Sequence, residues 1–170
     1  MKNPKYIAIA AITLDGKIAK HSKHFSSWTS KEDKQFLHAI LDACDVIIVG
    51  NSTYQMAKKP LSKRRCLIIT RSPHQYTNLP NCFFINPAKQ SLKKIIGQNK
   101  YQKIAILGGA QIYSYCLKNK MLDELYLTIE PISFGCGISL FENQQTTKWK
   151  LRAIKKLNNV GTILLHYTLK

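Results

Sequence analysis

The stretch Ile104-Ala105-Ile106-Leu107-Gly108-Gly109-Ala110-Gln111-Ile112-Tyr113, followed by Asp123-Glu124-Leu125-Tyr126-Leu127-Thr128, decides how this chain folds. Its first residues are apolar and partly β-branched, which reads as a buried strand. Two glycines end the strand, and an amphipathic helix begins at once. Glycines at such a junction let the backbone approach a ligand closely, and the helix N-terminus offers N–H groups to an anion. The reading is a phosphate-bearing cofactor; a tight strand-to-helix turn without a ligand would use the same residues.

Outward from that junction the chain alternates. Strand-like runs cover 6–13, 45–49, 65–70, 82–85, 103–107 and 124–130. Two more, 149–157 and 162–169, flank the turn Asn158-Asn159-Val160-Gly161. Between them, Ser30-Lys31-Glu32-Asp33 reads as an N-cap opening a helix to about Ala43. Further helices are expected after Gly50, from Ala88 to about Gln98, and from Ala110 to about Asn119. Apolar strands alternating with helices predict one α/β domain over 1–170. Its sheet would have about eight strands, mostly parallel, with helices on both faces and an antiparallel C-terminal hairpin.

Composition sets bounds. A chain of 170 residues with 45% hydrophobic content suits one sizeable core. No eighteen-residue apolar run occurs, so no membrane span is expected. The five cysteines (Cys44, Cys66, Cys82, Cys116, Cys136) are odd in number and lack C-x-x-C spacing, which reads as reduced thiols in a cytoplasmic protein. They form no metal-ligand spacing with the five histidines, and no metal is assigned. Lys and Arg number 26 against nine acids, a net charge of +17. The lysines are scattered and no RNA-recognition pattern appears, so an anionic cofactor and substrate account for the charge better than nucleic acid does.

In such a sheet ligands sit at the carboxyl ends of the strands. Those ends carry Leu14-Asp15-Gly16-Lys17-Ile18-Ala19, Gly50-Asn51-Ser52-Thr53, Thr70-Arg71-Ser72 and the double glycine. The loop of Arg71 between two hydroxyls suits a phosphate monoester such as the 2′-phosphate of NADPH.

These residues resemble the dihydrofolate reductases and the related pyrimidine reductases of riboflavin biosynthesis, over essentially the whole chain. Gly50-Asn51-Ser52-Thr53-Tyr54 is similar to G-R-x-T-[WY], and 60–70 to P-L-P-x-R-x-x-I-I-L-[ST]. Leu107-Gly108-Gly109-Ala110-Gln111-Ile112-Tyr113 resembles I-G-G-x-x-[IV]-Y, and 125–128 resembles L-Y-L-T. The segments 14–19, 27–30 and 135–141 are more similar to the riboflavin-pathway enzymes. Leu107, where those enzymes carry glutamate, is similar instead to the dihydrofolate reductases.

The resemblance implies an NADPH-dependent oxidoreductase acting on a small molecule, dihydrofolate first. A phosphorylated ribosylaminopyrimidine is the alternative and a non-catalytic basic nucleic-acid binder the third reading; a homodimer stays open. Asp33, five residues after Trp28, matches the family's W-x-x-x-x-D acid, while the spacing back from Gly50 keeps Glu32 open. Asp33 also suits a capping-box acid with no chemical role. Thr128 would support the acid, and Trp28 belongs to the same catalytic set. Leu37 would line the pterin pocket, and Arg64 would grip the carboxylate of the folate tail. Asp15 and Lys17 would face a ribose phosphate if the substrate is a pyrimidine. The resemblance places the cofactor on Ala11, Ile18, Gly50, Asn51, Ser52, Thr53, Thr70, Arg71, Ser72 and the 107–113 segment. Asn51 departs from the family's arginine, which weakens the preference for NADPH over NADH and leaves the 2′-phosphate to Arg71, alone or with Lys58 or Lys59.

Overall fold

The computed structural model describes residues 3–24, 26–76, 79–142 and 146–170. The first half contains β1 (Lys5–Thr13), β2 (Lys17–Ala19), α1 (Lys31–Asp42), β3 (Val46–Gly50), α2 (Asn51–Met56), α3 (Lys58–Leu61) and β4 (Cys66–Ile69). The second half contains β5 (Cys82–Ile85), α4 (Leu92–Gln98), β6 (Lys103–Ile106), α5 (Ala110–Lys118), β7 (Glu124–Glu130), β8 (Ile138–Ser139), β9 (Trp149–Lys156) and β10 (Ile163–Leu169).

Eight strands form one sheet in the order β5-β4-β3-β6-β1-β7-β10-β9. Neighbours from β5 to β7 run parallel, and β10 pairs antiparallel with both β7 and β9. The runs Val46–Val49, Cys66–Ile69 and Ile104–Ile106 are buried along their whole length because both faces of the sheet are covered. The period of two along β1 sorts its side chains. Tyr6, Ala8 and Ala10 pack with Ile96 of α4 and Ile112 and Cys116 of α5. Ile7 and Ile9 pack with Leu41, Tyr54 and Leu61 from α1, α2 and α3. This is the expected sheet with helices on both faces.

Two expectations change. The helix expected from Ala88 starts only at Leu92, capped by Ser91, whose hydroxyl accepts from the Lys94 N–H. Asn86 causes the delay. Its side chain accepts from Ala88 N, and its carbonyl accepts from Lys89 and Gln90, which builds a turn ahead of the helix. The second change is a separate pair, β2 with β8, which closes the loop after β1 onto residues 138–139. Strands of three and two residues carry no periodicity to read in a sequence.

The expected cap at Ser30 is present: its Oγ accepts from Asp33 N at 3.2 Å. The double glycine is equally explicit. Gly108 has φ +78°, and a Cβ built there would lie 2.3 Å from the Tyr113 ring, so only glycine fits. Its carbonyl accepts from Gly50 N at 2.8 Å, which ties the end of β6 to the end of β3. All five cysteines are free; Cys66, Cys82 and Cys116 are buried, and Cys136 is exposed. Burial pushes the Cys66 thiol up to about 12, which leaves it protonated and inert.

Candidate active site

A cavity of about 900 Å³ opens along the carboxyl ends of the parallel strands. Its walls hold Ala11 from β1, Ile18 from β2, Gly50 to Thr53 at the start of α2, and the 70–72 loop after β4. Leu107 and Gly109 to Tyr113 line it from the β6–α5 junction. Trp28, Asp33, Leu37 and Arg64 complete the set of expected residues that reach it. The 70–72 loop and β1 are three strand spacings apart, roughly 14 Å, so the cavity suits an elongated ligand.

Asp33 occupies the first turn of α1 and is buried, with 6% of its surface exposed. Burial pushes its carboxyl above the ordinary carboxylate range. The hydroxyls of Thr128 and Thr29 and the Lys34 ammonium oppose that shift, and the charge of Glu130 adds to it. Thr128 stands behind Asp33 on β7, buried and outside the cavity wall. Its Oγ1 favours the charged carboxylate but has no well-formed hydrogen bond among the described residues, so the contact is loose. The arrangement yields a carboxyl group able to hold or release a proton at the cavity wall.

Trp28 sits edge-on to Phe134, with ring centroids 5.2 Å apart. Its buried Nε1 has no hydrogen-bond partner among the described residues, which leaves one free donor at the cavity. Across the cavity, Gly109 caps α5 without a side chain, and Ala110 and Gln111 follow on the wall. Arg71 is exposed there, its carbonyl held by Asn86 Nδ2 at 2.9 Å. Asn51 turns to Tyr76, donating to the phenol oxygen at 2.8 Å, while Tyr76 stacks on Phe84 at 4.5 Å.

Four expected residues stand away from the cavity besides Thr128. Glu32 points out of α1, and its carboxylate accepts from Asn158 Nδ2 at 3.1 Å. One residue along a helix turns the side chain by about 100°, so only Asp33 of the pair can face inward. Asp15 accepts from the Thr13 hydroxyl and from the Phe134 and Gly135 N–H groups, which hold its carboxyl below the ordinary range. Lys17 reaches Ser139 Oγ at 3.4 Å. Both staple the loop after β1, and neither lines the cavity. Gly108 shapes the wall from behind. Arg64 lines the cavity but gives two donors to Asp42.

The sequence left other wall residues unmarked. Lys34 and His38 share the cavity face of α1 with Leu37 and Leu41, and His21 and His24 approach from the loop after β2. The helical spacing of 34, 37, 38 and 41 was the available signal. Glu130 was visible as an acid two residues beyond Thr128, on the same face of β7. Among the described residues no group of three His, Cys, Asp or Glu side chains could hold a metal ion. No helix among them is long and apolar enough to cross a membrane.

The dihydrofolate reductase family model matches residues 5–164, and the chain belongs to that family. It is 30% identical over 172 residues to the uncharacterized protein YwjB of Bacillus subtilis, covering 96% of this chain and 97% of that one. Among solved structures, its fold matches Enterococcus faecalis dihydrofolate reductase complexed with NADP(H) and RAB-propyl. The TM-score is 0.73 at 20% identity, over 98% of this chain and 96% of that one. It also matches a Thermotoga maritima diaminohydroxyphosphoribosylaminopyrimidine deaminase/5-amino-6-(5-phosphoribosylamino)uracil reductase. There the TM-score is 0.79 at 17% identity, covering 99% of this chain and 57% of that chain.

Proposed function

We propose that the chain is an NADPH-dependent reductase that reduces a dihydropterin, dihydrofolate before others, in the cytoplasm. The observation that carries this reading is Asp33: a buried carboxyl of weakened acidity, on the first turn of α1, at the wall of the cavity. Reduction of a dihydropterin needs a proton at the ring nitrogen beside the carbon that accepts hydride. A carboxyl against the amino-pyrimidine edge orients the ring and favours that protonation. Trp28 and Leu37 confine the ring, and Thr128 supports Asp33 from behind.

The residues present fit the cofactor. Gly109, on the cavity wall at the start of α5, has only Thr53 Oγ1 within 4 Å of where a Cβ would stand, so bare backbone faces the space a pyrophosphate would take. Gly50 to Thr53 and 107–113 would hold the pyrophosphate, Thr70, Arg71 and Ser72 the 2′-phosphate, and Ala11 and Ile18 the wall near the nicotinamide. When bound, NADPH supplies the hydride; the protein positions the rings and keeps water out.

A second reading has its own support. Arg64 is tied to Asp42, and the cavity wall also carries Lys34, His38, His21 and His24, side chains that could donate to the phosphate of a phosphorylated aminopyrimidine. Loss of NADPH absorbance with dihydrofolate, run beside the ribosylaminopyrimidine phosphate, separates the two. Turnover of dihydrofolate supports the first reading, and turnover of the pyrimidine alone supports the second. A protein that binds no NADPH and loses nucleic-acid affinity steeply with salt would match the third, non-catalytic reading.

A further inference from the structure

Glu130 closes β7 with only 4% of its surface exposed, and both carboxylate oxygens are used. Oε1 accepts from the backbone N–H of Ser30 at 2.7 Å, and Oε2 accepts from the Thr162 hydroxyl at 2.7 Å. Ser30 is the residue whose Oγ accepts from Asp33 N, so the acid's helical turn begins on the backbone that Glu130 holds. The other anchor, Thr162, belongs to the turn between β9 and β10. Asn158 builds that turn by accepting from the N–H groups of Val160, Gly161 and Thr162. Asn158 Nδ2 then donates to Thr162 Oγ1 and to Glu32, which docks the same turn on α1 a second time.

We propose that Glu130 is a positioning residue for Asp33. Clamped by Thr162, it fixes the start of α1 so that the Asp33 carboxyl keeps one place at the cavity wall. The inference rests on the reading of Asp33 as the proton-handling group. A buried carboxylate is costly unless fully hydrogen-bonded, and Glu130, at the end of β7 with both oxygens satisfied, marks a fixed point in the fold. Its charge also lies close enough to Asp33 to disfavour a second negative charge there. The groups facing Asp33 are Lys34 and Thr29 at the start of α1, Thr128 and Glu130 on β7, and Tyr113 on α5. Tyr113 donates its hydroxyl to the Ile9 carbonyl at 2.6 Å.

The test uses Glu130→Gln, Thr162→Val and Thr162→Ser in the full chain, with two readouts. One is the titration of the Asp33 carboxyl, followed by carbon NMR on protein labelled at aspartate side chains. The other is the pH profile of NADPH-dependent turnover. In Glu130→Gln the Asp33 midpoint should fall, and the pH limb of kcat/KM should fall with it. Thr162→Val should lower kcat about tenfold by loosening the clamp, and Thr162→Ser should restore it. If Glu130→Gln leaves the Asp33 midpoint in place, or Thr162→Val turns over like wild type, the positioning role is overturned. If Glu130→Gln does not fold, the valine–serine pair decides alone. An Asp33 midpoint that moves in a protein reducing neither candidate substrate would retain the positioning role and defeat the functional reading.

Discussion

Arg64 donates from Nε at 3.0 Å and from Nη2 at 2.5 Å to a single oxygen of Asp42. The arginine that we propose for a substrate carboxylate is therefore held by a carboxylate of the chain itself, on the last residue of α1. Asp42 is 64% exposed, so the pair is a surface one, worth about 0–1 kcal/mol, and a better-placed anion can displace it. Asp42→Asn should lower KM for dihydrofolate several-fold, and Arg64→Leu should raise it about tenfold or more, with kcat nearly unchanged in both. Steady-state kinetics on the two variants check this. Equal KM values across them would remove Arg64 from the substrate site.

Asp33 links activity to stability with a defined sign. Its folded-state carboxyl is raised above the unfolded value of 3.8. The stability it contributes is complete below that value and is lost as pH rises through the raised folded value. At neutral pH the charged form is a burden on the fold. Asp33→Asn should lower turnover about 10²- to 10⁴-fold while unfolding at higher urea than wild type. That stability margin should shrink as pH falls from the raised folded value toward 3.8, and vanish below it, where the carboxyl is protonated in the folded and unfolded chain alike. Urea melts at two pH values and one turnover assay test both halves.

Gly108→Ala meets two obstacles at once, a φ of +78° and a Cβ 2.3 Å from the Tyr113 ring. The expected cost is about 1–3 kcal/mol or more, seen as a lower melting temperature and weakened NADPH binding. Gly97→Ala, on α4 with nothing within 4 Å of its Cβ, is the matched control and should melt at or slightly above wild type.

Arg71 carries the cofactor preference in this reading, because Asn51 is engaged with Tyr76. Arg71→Ala should weaken NADPH about tenfold or more and leave NADH nearly untouched, which narrows the margin between them. Fluorescence titration with each cofactor measures that margin. An unchanged margin would place the 2′-phosphate elsewhere.

Local chemistry made much of this molecule readable. The β-branched runs of β3, β4 and β6 announce buried parallel strands, Ser30 announces the start of α1, and Gly108 announces a backbone that tolerates no Cβ. The turn at Asn86 was missed because a side chain competing for N–H groups leaves no periodic trace. The β2–β8 pair was missed because its partners lie far apart in sequence and are very short.

By itself the sequence determined the sheet, the order of its covering helices and the double-glycine junction, since each follows from hydrophobic period, capping and steric limits within a few residues. It also narrowed the acid to Glu32 or Asp33. The tertiary structure decided which of the two lines the cavity: Asp33 reaches the wall, and Glu32 is left with Asn158. It likewise decided that Arg64 meets Asp42, that Asp15 and Lys17 staple a loop, and that Glu130 holds Ser30. Those outcomes depend on which distant segments share a few ångströms of space, and no local pattern of residue types encodes that distance.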